Sequence, residues 1–264
     1  MPISFLGCAV FHPSKIGISI HIYKNRVSFY KMHLHFYIKY LCIPNVDLPM
    51  AKNFVSNKDE TATMFQNPFL EKLSRIHWSV PLYMYVPVLF FFLYRSVFVL
   101  HLNVLFIIGF YIAGVLAWTF TEYILHRFVF HAHLPGKMGE RISFVVHGVH
   151  HDYPKDSKRL VMVPSISIPL AVAFYGLFYL LLGPALCAPA FAGMVTGYLI
   201  YDMTHYAIHH YNTKNPFWLS LKQHHSLHHY SESDKGYGVS TKLWDHVFRT
   251  LFTKTTGKEL QDNA

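Results

Sequence analysis

Histidine is the residue type that stands out in this chain of 264 residues, which contains 20 of them. Thirteen lie between positions 126 and 229, and all of these but His133 fall in four clusters separated by apolar sequence. The clusters read HRFVFH from His126, HGVHH from His147, HYAIHH from His205 and HHSLHH from His224. Side chains three or four residues apart share one face of a helix, so imidazoles within a cluster can converge.

Metal binding is the chemistry that this pattern predicts. One ion takes about four to six ligands, so roughly ten imidazoles suit two ions. The clusters contain no thiolate and few carboxylates, and imidazole binds Fe, Zn, Cu and Ni. The predicted ligands are His126, His131, His147, His150, His151, His205, His209, His225, His228 and His229. His133, His210 and His224 stand beside better-placed partners and are left out of the ligand set.

Three acidic residues stand near the clusters. Glu122 precedes His126 by four residues, Asp202 precedes His205 by three, and Asp152 follows His151. A carboxylate that accepts the second imidazole N–H orients the ring. We therefore expect these acids to support the ligands. A pH sensor or a metal-storage tract is the alternative, but storage tracts are low in complexity and these clusters are not.

The composition indicates a membrane protein. Hydrophobic residues make up 52% and charged residues 14%, whereas soluble domains carry about 25% charged residues. Four apolar segments, 80–92, 104–118, 166–182 and 184–201, approach the length that spans a bilayer. Pro184 and Pro189 mark a tight turn between the last two. The predicted fold is all-α and integral to the membrane, with four transmembrane helices in two hairpins and a cytoplasmic helical cap that holds the histidine-rich dimetal site.

Basic residues predict the orientation. Six lie in the loop 122–161 and seven after position 201, whereas the turn 183–189 has none. By the positive-inside rule, both termini and the histidine clusters face the cytoplasm. The expected location is the endoplasmic reticulum in a eukaryote and the inner membrane in a bacterium. A net charge of +9 in such a protein reflects topology and anionic lipid, and no nucleic-acid partner is expected.

The amino-acid sequence divides into four parts. Residues 1–49 lack a clean period, and we interpret them as an extension without a functional role; a membrane-surface anchor is the alternative. Residues 50–79 are an amphipathic lead-in, with apolar residues from 65 to 78 at helical spacing. Residues 80–254 form the membrane domain, and 255–264 a disordered tail. The three cysteines lack CxxC spacing, which argues against a disulfide framework or a cysteine metal site.

The four clusters are similar to the histidine boxes of the fatty acid hydroxylase superfamily, whose members are integral-membrane dimetal oxygenases. The surrounding text resembles the fatty acid (sphingolipid) 2-hydroxylases over about residues 65–252: TEYILHRFVFH, HGVHHDYPKDSKRLVMVP, GYLIYDMTHYAIHH and LKQHHSLHHYSESDKGYGVSTKLWDHVFRT. The resemblance carries over the same ten histidines, five to each of two metals, without assigning the split. Tyr237 stands where many relatives have Phe.

This resemblance implies an O₂-dependent fatty acid 2-hydroxylase, a monooxygenase that hydroxylates carbon 2 of long-chain fatty acids or of the acyl chain of ceramide. Residues 80–254 would be its hydroxylase domain. The implied cofactor is two iron ions, which zinc can replace in preparations. Nothing before residue 65 resembles a cytochrome b5 domain, so the expected partners are the lipid and an external electron donor, such as cytochrome b5 or ferredoxin with its reductase.

Two other functions stay open. Another superfamily member, of the sterol methyl oxidase or desaturase type, would share the boxes; the segments RLVMVP and GYGVSTKLWD favour the 2-hydroxylase. A non-catalytic metal-binding membrane protein, such as a transporter, would carry polar residues inside its membrane segments. Those segments are almost free of them.

Overall fold

The computed structural model describes residues 54–252 and the backbone of two short strands. The chain divides into two compact units, Met1–Met50 and Ala51–Ala264. In the first unit, β1 (Ile22–Tyr23) pairs antiparallel with β2 (Arg26–Val27). The rest of the proposed extension, and the proposed tail at 255–264, lie outside the described residues.

The described part of the second unit is helical, which confirms the predicted all-α class. Its helices are α1 (Pro68–Leu73), α2 (Val80–Tyr94), α3 (Val104–Ile124), α4 (Gly136–Ser143), α5 (Val149–Asp152), α6 (Pro164–His210), α7 (Pro216–Tyr230) and α8 (Leu243–Val247). Turns of π-helix continue α2 through Arg95–Val99, α3 through Leu125–Phe130 and α4 through Phe144–Gly148.

Three helical stretches are long and apolar enough to cross a membrane: Val80–Val99, Val104–Phe130 and Pro164–His210. The third reverses direction at Gly183, where φ is 74°. The rings of Tyr175 and Phe191 lie 5.3 Å apart across this break, whereas a straight helix would separate such residues by about 24 Å. Helix α6 therefore consists of two antiparallel arms, 164–182 and 184–210. Pro189 lies inside the second arm and not, as predicted, at the turn.

The second arm of α6 packs closely against α3. A β-carbon on Gly114 would overlap the backbone of Ala190, and one on Gly193 would overlap the carbonyl of Tyr111. The Tyr111 hydroxyl also donates to Thr196 Oγ1 at 2.8 Å. Small residues at such crossings let helix backbones approach in a membrane, where apolar burial gives little driving force.

The lead-in differs from its prediction. We expected a helix over residues 65–78, but α1 covers only Pro68–Leu73. Asn67 caps α1 by accepting from the N–H groups of Phe69 and Leu70, and Pro68 follows at the first helical position. The chain before Asn67 runs outside α1, and the N–H of Val55 donates to the carbonyl of Asp152 at 2.8 Å.

The close crossing predicts a matched pair of substitutions. Gly193→Ala forces a methyl group into the Tyr111 backbone and should destabilise the fold by about 1–3 kcal/mol, as overpacking does. Gly109→Ala is the control, because nothing lies within 4 Å of a β-carbon there. Thermal unfolding in detergent should show a lower midpoint for Gly193→Ala alone. Equal midpoints for both variants would contradict the close crossing.

Candidate metal centre

All ten predicted ligands come together, in two groups of five. The first histidine group is His126, His131, His147, His151 and His228, and the second is His150, His205, His209, His225 and His229. Within each group, one ring nitrogen of every member lies within 4.8 Å of those of the others. The sequence did not give this division, and the structure supplies it.

Helical phase explains the division within the HGVHH cluster. His147 and His151 are four residues apart and enter the first group, whereas His150, between them, enters the second. An α-helix rotates by about 100° per residue. The side chains three and four positions after His147 therefore point in directions about 100° apart. The HSLHH cluster behaves alike, with His225 and His229 in the second group and His228 in the first. The expectation that the imidazoles of one cluster converge was therefore wrong for these two clusters, whose histidines divide between the two groups.

The π-helical turn at the end of α3 brings together two ligands that are five residues apart. In an α-helix, five residues rotate a side chain by about 140° away from its predecessor. In a π-helix, residues five apart are hydrogen-bonded and overlie one another. The N–H of His131 donates to the carbonyl of His126 at 3.2 Å. Both rings thereby reach the first histidine group.

The second histidine group has contacts that hydrogen bonding cannot explain. Nε2 of His225 lies 3.1 Å from Nε2 of His205, 2.9 Å from that of His209 and 3.0 Å from that of His229. A ring nitrogen carries either one hydrogen or one lone pair, so it cannot form three such bonds. Two ligand nitrogens at right angles around one ion are about 3 Å apart when each is about 2.1 Å from the metal. The geometry fits lone pairs that converge on a cation.

The first histidine group also brings ring nitrogens close together. Its Nε2 atoms approach pairwise, His126 to His147 at 3.1 Å and His131 to His228 at 3.0 Å. Nε2 of His151 is buried and has no hydrogen-bond partner among the described residues. A buried nitrogen without a partner is costly, and a bound cation would supply one.

Backbone carbonyls fix the orientation of three rings. The Nδ1–H donates from His126 to Tyr237 at 2.6 Å, from His228 to Lys235 at 2.7 Å and from His205 to Leu160 at 3.0 Å. A carbonyl only accepts, so the hydrogen sits on Nδ1 and the lone pair remains on Nε2. The sequence does not predict these acceptors, because a residue of any type can supply a backbone carbonyl.

Two of the predicted carboxylate supports act elsewhere. Glu122 accepts from the N–H groups of Val239 at 2.6 Å and Ser240 at 2.8 Å. Asp202 accepts from the N–H of Met162 at 3.3 Å. The prediction that they hold the imidazole rings was wrong, because neutral carbonyls already occupy the Nδ1 positions of His126 and His205. Both acids instead fix chain segments beside the histidine groups.

Burial keeps the rings uncharged. Desolvation lowers the pKa of His131 to about 4 and that of His151 to about 3, and neighbouring histidines lower both further. Desolvation, then repulsion from nearby imidazoles, also holds five further pKa values well below 6.5: those of His147, His150, His225, His228 and His229. Neutral imidazole is the form that binds metal, so these rings are ready as ligands at pH 7.

The three histidines left out of the ligand set lie outside both groups. His133 is exposed, and His210 stacks on Tyr206 with ring centres 4.5 Å apart. His224 is buried, and its Nε2 lies 3.0 Å from Oδ2 of Asp245. His246 is exposed on α8.

A cavity of about 510 Å³ borders both histidine groups. His147 of the first group and His150 and His205 of the second contribute to its wall. Most of the remaining lining is apolar, and Ile166 in it is 54% exposed on the outer surface of the helices. The cavity has the volume of a typical ligand pocket, and Ile166 places part of its lining at the protein surface.

A strap, defined as residues 54–76, lies along one side of this cavity and contributes Met64, Phe65 and Leu70 to its lining. Glu71 secures the strap by accepting from the N–H groups of Met64 and Phe65, both at 2.9 Å. The same carboxylate pairs with Arg159 at 2.7 Å, and the Arg159 side chain is only 4% exposed. The lead-in is thus part of the wall of the site.

These features define a class: an integral-membrane protein whose second unit is helical and carries two all-histidine groups beside a mostly apolar cavity. The sequence pattern of the fatty acid hydroxylase family matches residues 111–250. The chain belongs to this family.

Comparisons with individual proteins support the same family. "Dihydroceramide fatty acyl 2-hydroxylase FAH1" of Arabidopsis thaliana is 37% identical over 202 residues, 76% of this chain and 84% of that protein. "Fatty acid 2-hydroxylase" of Rattus norvegicus is 40% identical over 157 residues, 58% of this chain and 42% of its own length. The solved structure "Full length scs7p (only hydroxylase domain visible)" superposes with a TM-score of 0.67 at 37% identity, covering 72% of this chain and 71% of that one.

The strap predicts a response to substitution and to acid. Burial alone would raise the pKa of Glu71, but hydrogen bonds from Phe65, Arg75 and Met64 and the charge of Arg159 lower it to about 2. Ionised Glu71 therefore stabilises the docked strap above pH 4.5, and this contribution is lost as the pH falls towards 2. Glu71→Gln should raise hydrogen exchange of residues 54–76 about tenfold or more at pH 7, since hydrogen bonds to a charge contribute about 1.5–3 kcal/mol. Unchanged exchange in that segment would contradict this role.

Proposed function

We propose that this protein is a monooxygenase that uses two iron ions and O₂ to hydroxylate carbon 2 of long fatty acyl chains. The observation that carries this proposal is the pair of five-histidine groups at the wall of a mostly apolar cavity. The names of the relatives specify the same position on the acyl chain. The ten histidines would be the ligands, five to each ion.

Iron suits this donor set and this chemistry. Imidazole ligands accept Fe, Zn, Cu and Ni, but inserting oxygen into an unactivated C–H bond needs a metal that changes its oxidation state, which zinc does not. When bound, the iron pair would supply reductive activation of O₂: one oxygen atom enters the product, and two electrons and two protons convert the other to water. The chain itself holds the imidazoles neutral and oriented and excludes bulk water.

The cavity would hold the acyl chain beside the histidines. An acyl chain entering from the bilayer would lie against the apolar lining, with its carbonyl near the cytoplasmic boundary. Carbon 2 is adjacent to that carbonyl, so it would come to rest near His147 and His150. Arg159 is the one Lys or Arg side chain among the described cavity-lining residues, and Glu71 and Asp156 already balance its charge. This favours an amide-linked acyl chain, as in ceramide, over a free carboxylate.

The orientation completes the proposal. Helix α2, helix α3 and the two arms of α6 would each span the bilayer, with both histidine groups and both termini on the cytoplasmic side. The basic residues of the loop 122–161 and of the chain after position 201 support this orientation under the positive-inside rule. The membrane would be that of the endoplasmic reticulum in a eukaryote and the inner membrane in a bacterium.

Removing a ligand from either group tests the site. His150→Ala and His228→Ala should each lower formation of 2-hydroxy product by two orders of magnitude or more, because even residues behind the ligands change activity about 10–100-fold. His246→Ala is the control, since His246 is exposed and belongs to neither group. Lipid mass spectrometry of membranes with each variant measures the product. Full activity in His150→Ala would remove the dimetal proposal.

Metal replacement tests the redox role. Metal-stripped protein should regain 2-hydroxylation with Fe²⁺ under anaerobic loading, followed by reductant and O₂. Zn²⁺ should bind at least as tightly, in the usual order of affinities, yet give no product. Product formed with zinc alone would contradict the proposed mechanism. Binding of both metals with product from neither would leave a non-catalytic metal protein as the better account.

The electron donor would be a separate protein, such as cytochrome b5 or ferredoxin with its reductase. Lys155 and Lys158 offer a basic docking surface, and Lys222 lies near Lys155. Burial lowers the pKa of Lys222, and the charge of Lys155 lowers it further. Arg159 follows Lys158 in the sequence but is buried in its ion pairs and does not belong to this surface.

Charge reversal tests this surface. Lys155→Glu with Lys158→Glu should slow turnover several-fold at low salt and less at high salt, because salt screens exposed charges. Lys137→Glu with Lys72→Glu is the control, because it makes an equal change of charge at other exposed positions. Turnover that responds to neither reversal nor salt would contradict this docking surface while leaving the hydroxylase proposal intact.

A further inference from the structure

One loop, residues 235–240 between α7 and α8, supports the first histidine group. His228 donates its Nδ1–H to the carbonyl of Lys235, and His126 donates to that of Tyr237. In the second histidine group, the ring that donates to a carbonyl is His205, and its acceptor is Leu160, in a different loop. The position of loop 235–240 therefore bears on one group and not on the other.

Asp245, on α8, holds this loop. Its side chain is fully buried and accepts four hydrogen bonds. Oδ1 accepts from the N–H of Tyr237 at 2.9 Å and from the hydroxyl of Thr250 at 2.7 Å. Oδ2 accepts from the N–H of Gly238 at 2.8 Å and from Nε2 of His224 at 3.0 Å. A carboxylate has about four lone-pair directions, and all of them are used here.

The loop has little room to move around Asp245. Gly236 has a φ of 69°, a conformation that favours glycine, and its N–H donates to the carbonyl of Thr250 at 2.9 Å. A β-carbon on Gly238 would overlap the carbonyl of Thr241 and lie 2.8 Å from Oδ2 of Asp245. Any displacement of the Asp245 carboxylate is therefore passed to the peptide whose carbonyl orients His126.

We propose that Asp245 is a positioning residue for the first histidine group alone. It touches none of the ten histidines of the two groups, and acts by holding the Tyr237 and Lys235 carbonyls where they orient His126 and His228. Loss of its carboxylate should weaken the metal ion of the first group and spare that of the second. This inference rests on the proposed two-metal site. It also gives His224 a role, as a donor to Asp245 and not as a ligand.

Anaerobic titration of metal-stripped, full-length protein with Fe²⁺ against a competing chelator tests the inference. Asp245→Asn keeps the size of the side chain but turns an amide NH₂ towards groups that themselves donate. One of the two Fe²⁺ affinities should fall about 10–100-fold, the usual effect of losing a support behind a metal ligand, and the other should not change. Glu140→Gln is the control: Glu140 is exposed on α4 and belongs to neither histidine group, so both affinities should persist.

Double variants identify which ion is weakened. In His228→Ala, which impairs the first group, adding Asp245→Asn should leave the remaining Fe²⁺ affinity unchanged. In His209→Ala, which impairs the second group, the same addition should weaken the remaining ion about 10–100-fold. Thr250→Val removes one of the four donors to Asp245 and serves as a milder variant if Asp245→Asn fails to fold; it should weaken the same ion by a smaller factor.

The outcomes separate the two proposals. Wild-type protein that binds fewer than two Fe²⁺ ions would contradict the proposed dimetal function. Wild-type protein that binds two, with Asp245→Asn or Thr250→Val weakening both equally or neither, would overturn the role of Asp245 and leave the function standing.

Discussion

Ten imidazoles that converge on two points, eight of them buried, are the constraint on which the rest of the structure depends. Burying polar rings is unfavourable unless each nitrogen finds a partner. Nε2 of His225 has three Nε2 neighbours within 3.1 Å and can hydrogen-bond to at most one of them. A cation at each point would give these converging Nε2 atoms a partner. Metal binding would therefore add to the stability of the part of the chain that carries the ten histidines.

The membrane helices meet this constraint by bringing histidines from distant parts of the sequence close together at the helix ends. Helix α3 delivers His126 at its end, and the second arm of α6 delivers His205 and His209 at its own end. The close backbone crossing at Gly114 and Gly193 fixes these two helices against each other. The apolar part of the protein thus serves as the rigid support of a polar site at its boundary.

Much of this could be predicted from the sequence. The helical class and the choice of ten histidines follow from hydropathy and spacing, because both are periodic signals carried by side-chain type. The division into two groups did not follow, since it depends on the rotation between His150 and His151 and on a π-helical turn before His131. Those are properties of backbone geometry.

The hydrogen-bond acceptors that orient the imidazole rings could not be predicted from the sequence, for a related reason. We expected Glu122 and Asp202 to accept the imidazole N–H groups, because carboxylates can be recognised by residue type. Carbonyls of Tyr237 and Leu160 do so instead, and a carbonyl leaves no mark in the sequence. The carboxylates act one step further out, on the segments that present those carbonyls. The short length of α1 was likewise set by a local cap at Asn67 that overrides helical spacing.

The most direct test of the account is a crystal structure of iron-loaded protein with anomalous data on both sides of the iron absorption edge. The account predicts two iron peaks per chain, one within about 2.1 Å of a ring nitrogen from each member of the first histidine group and the other likewise placed in the second. A single peak shared between the groups, or peaks away from these nitrogens, would contradict it.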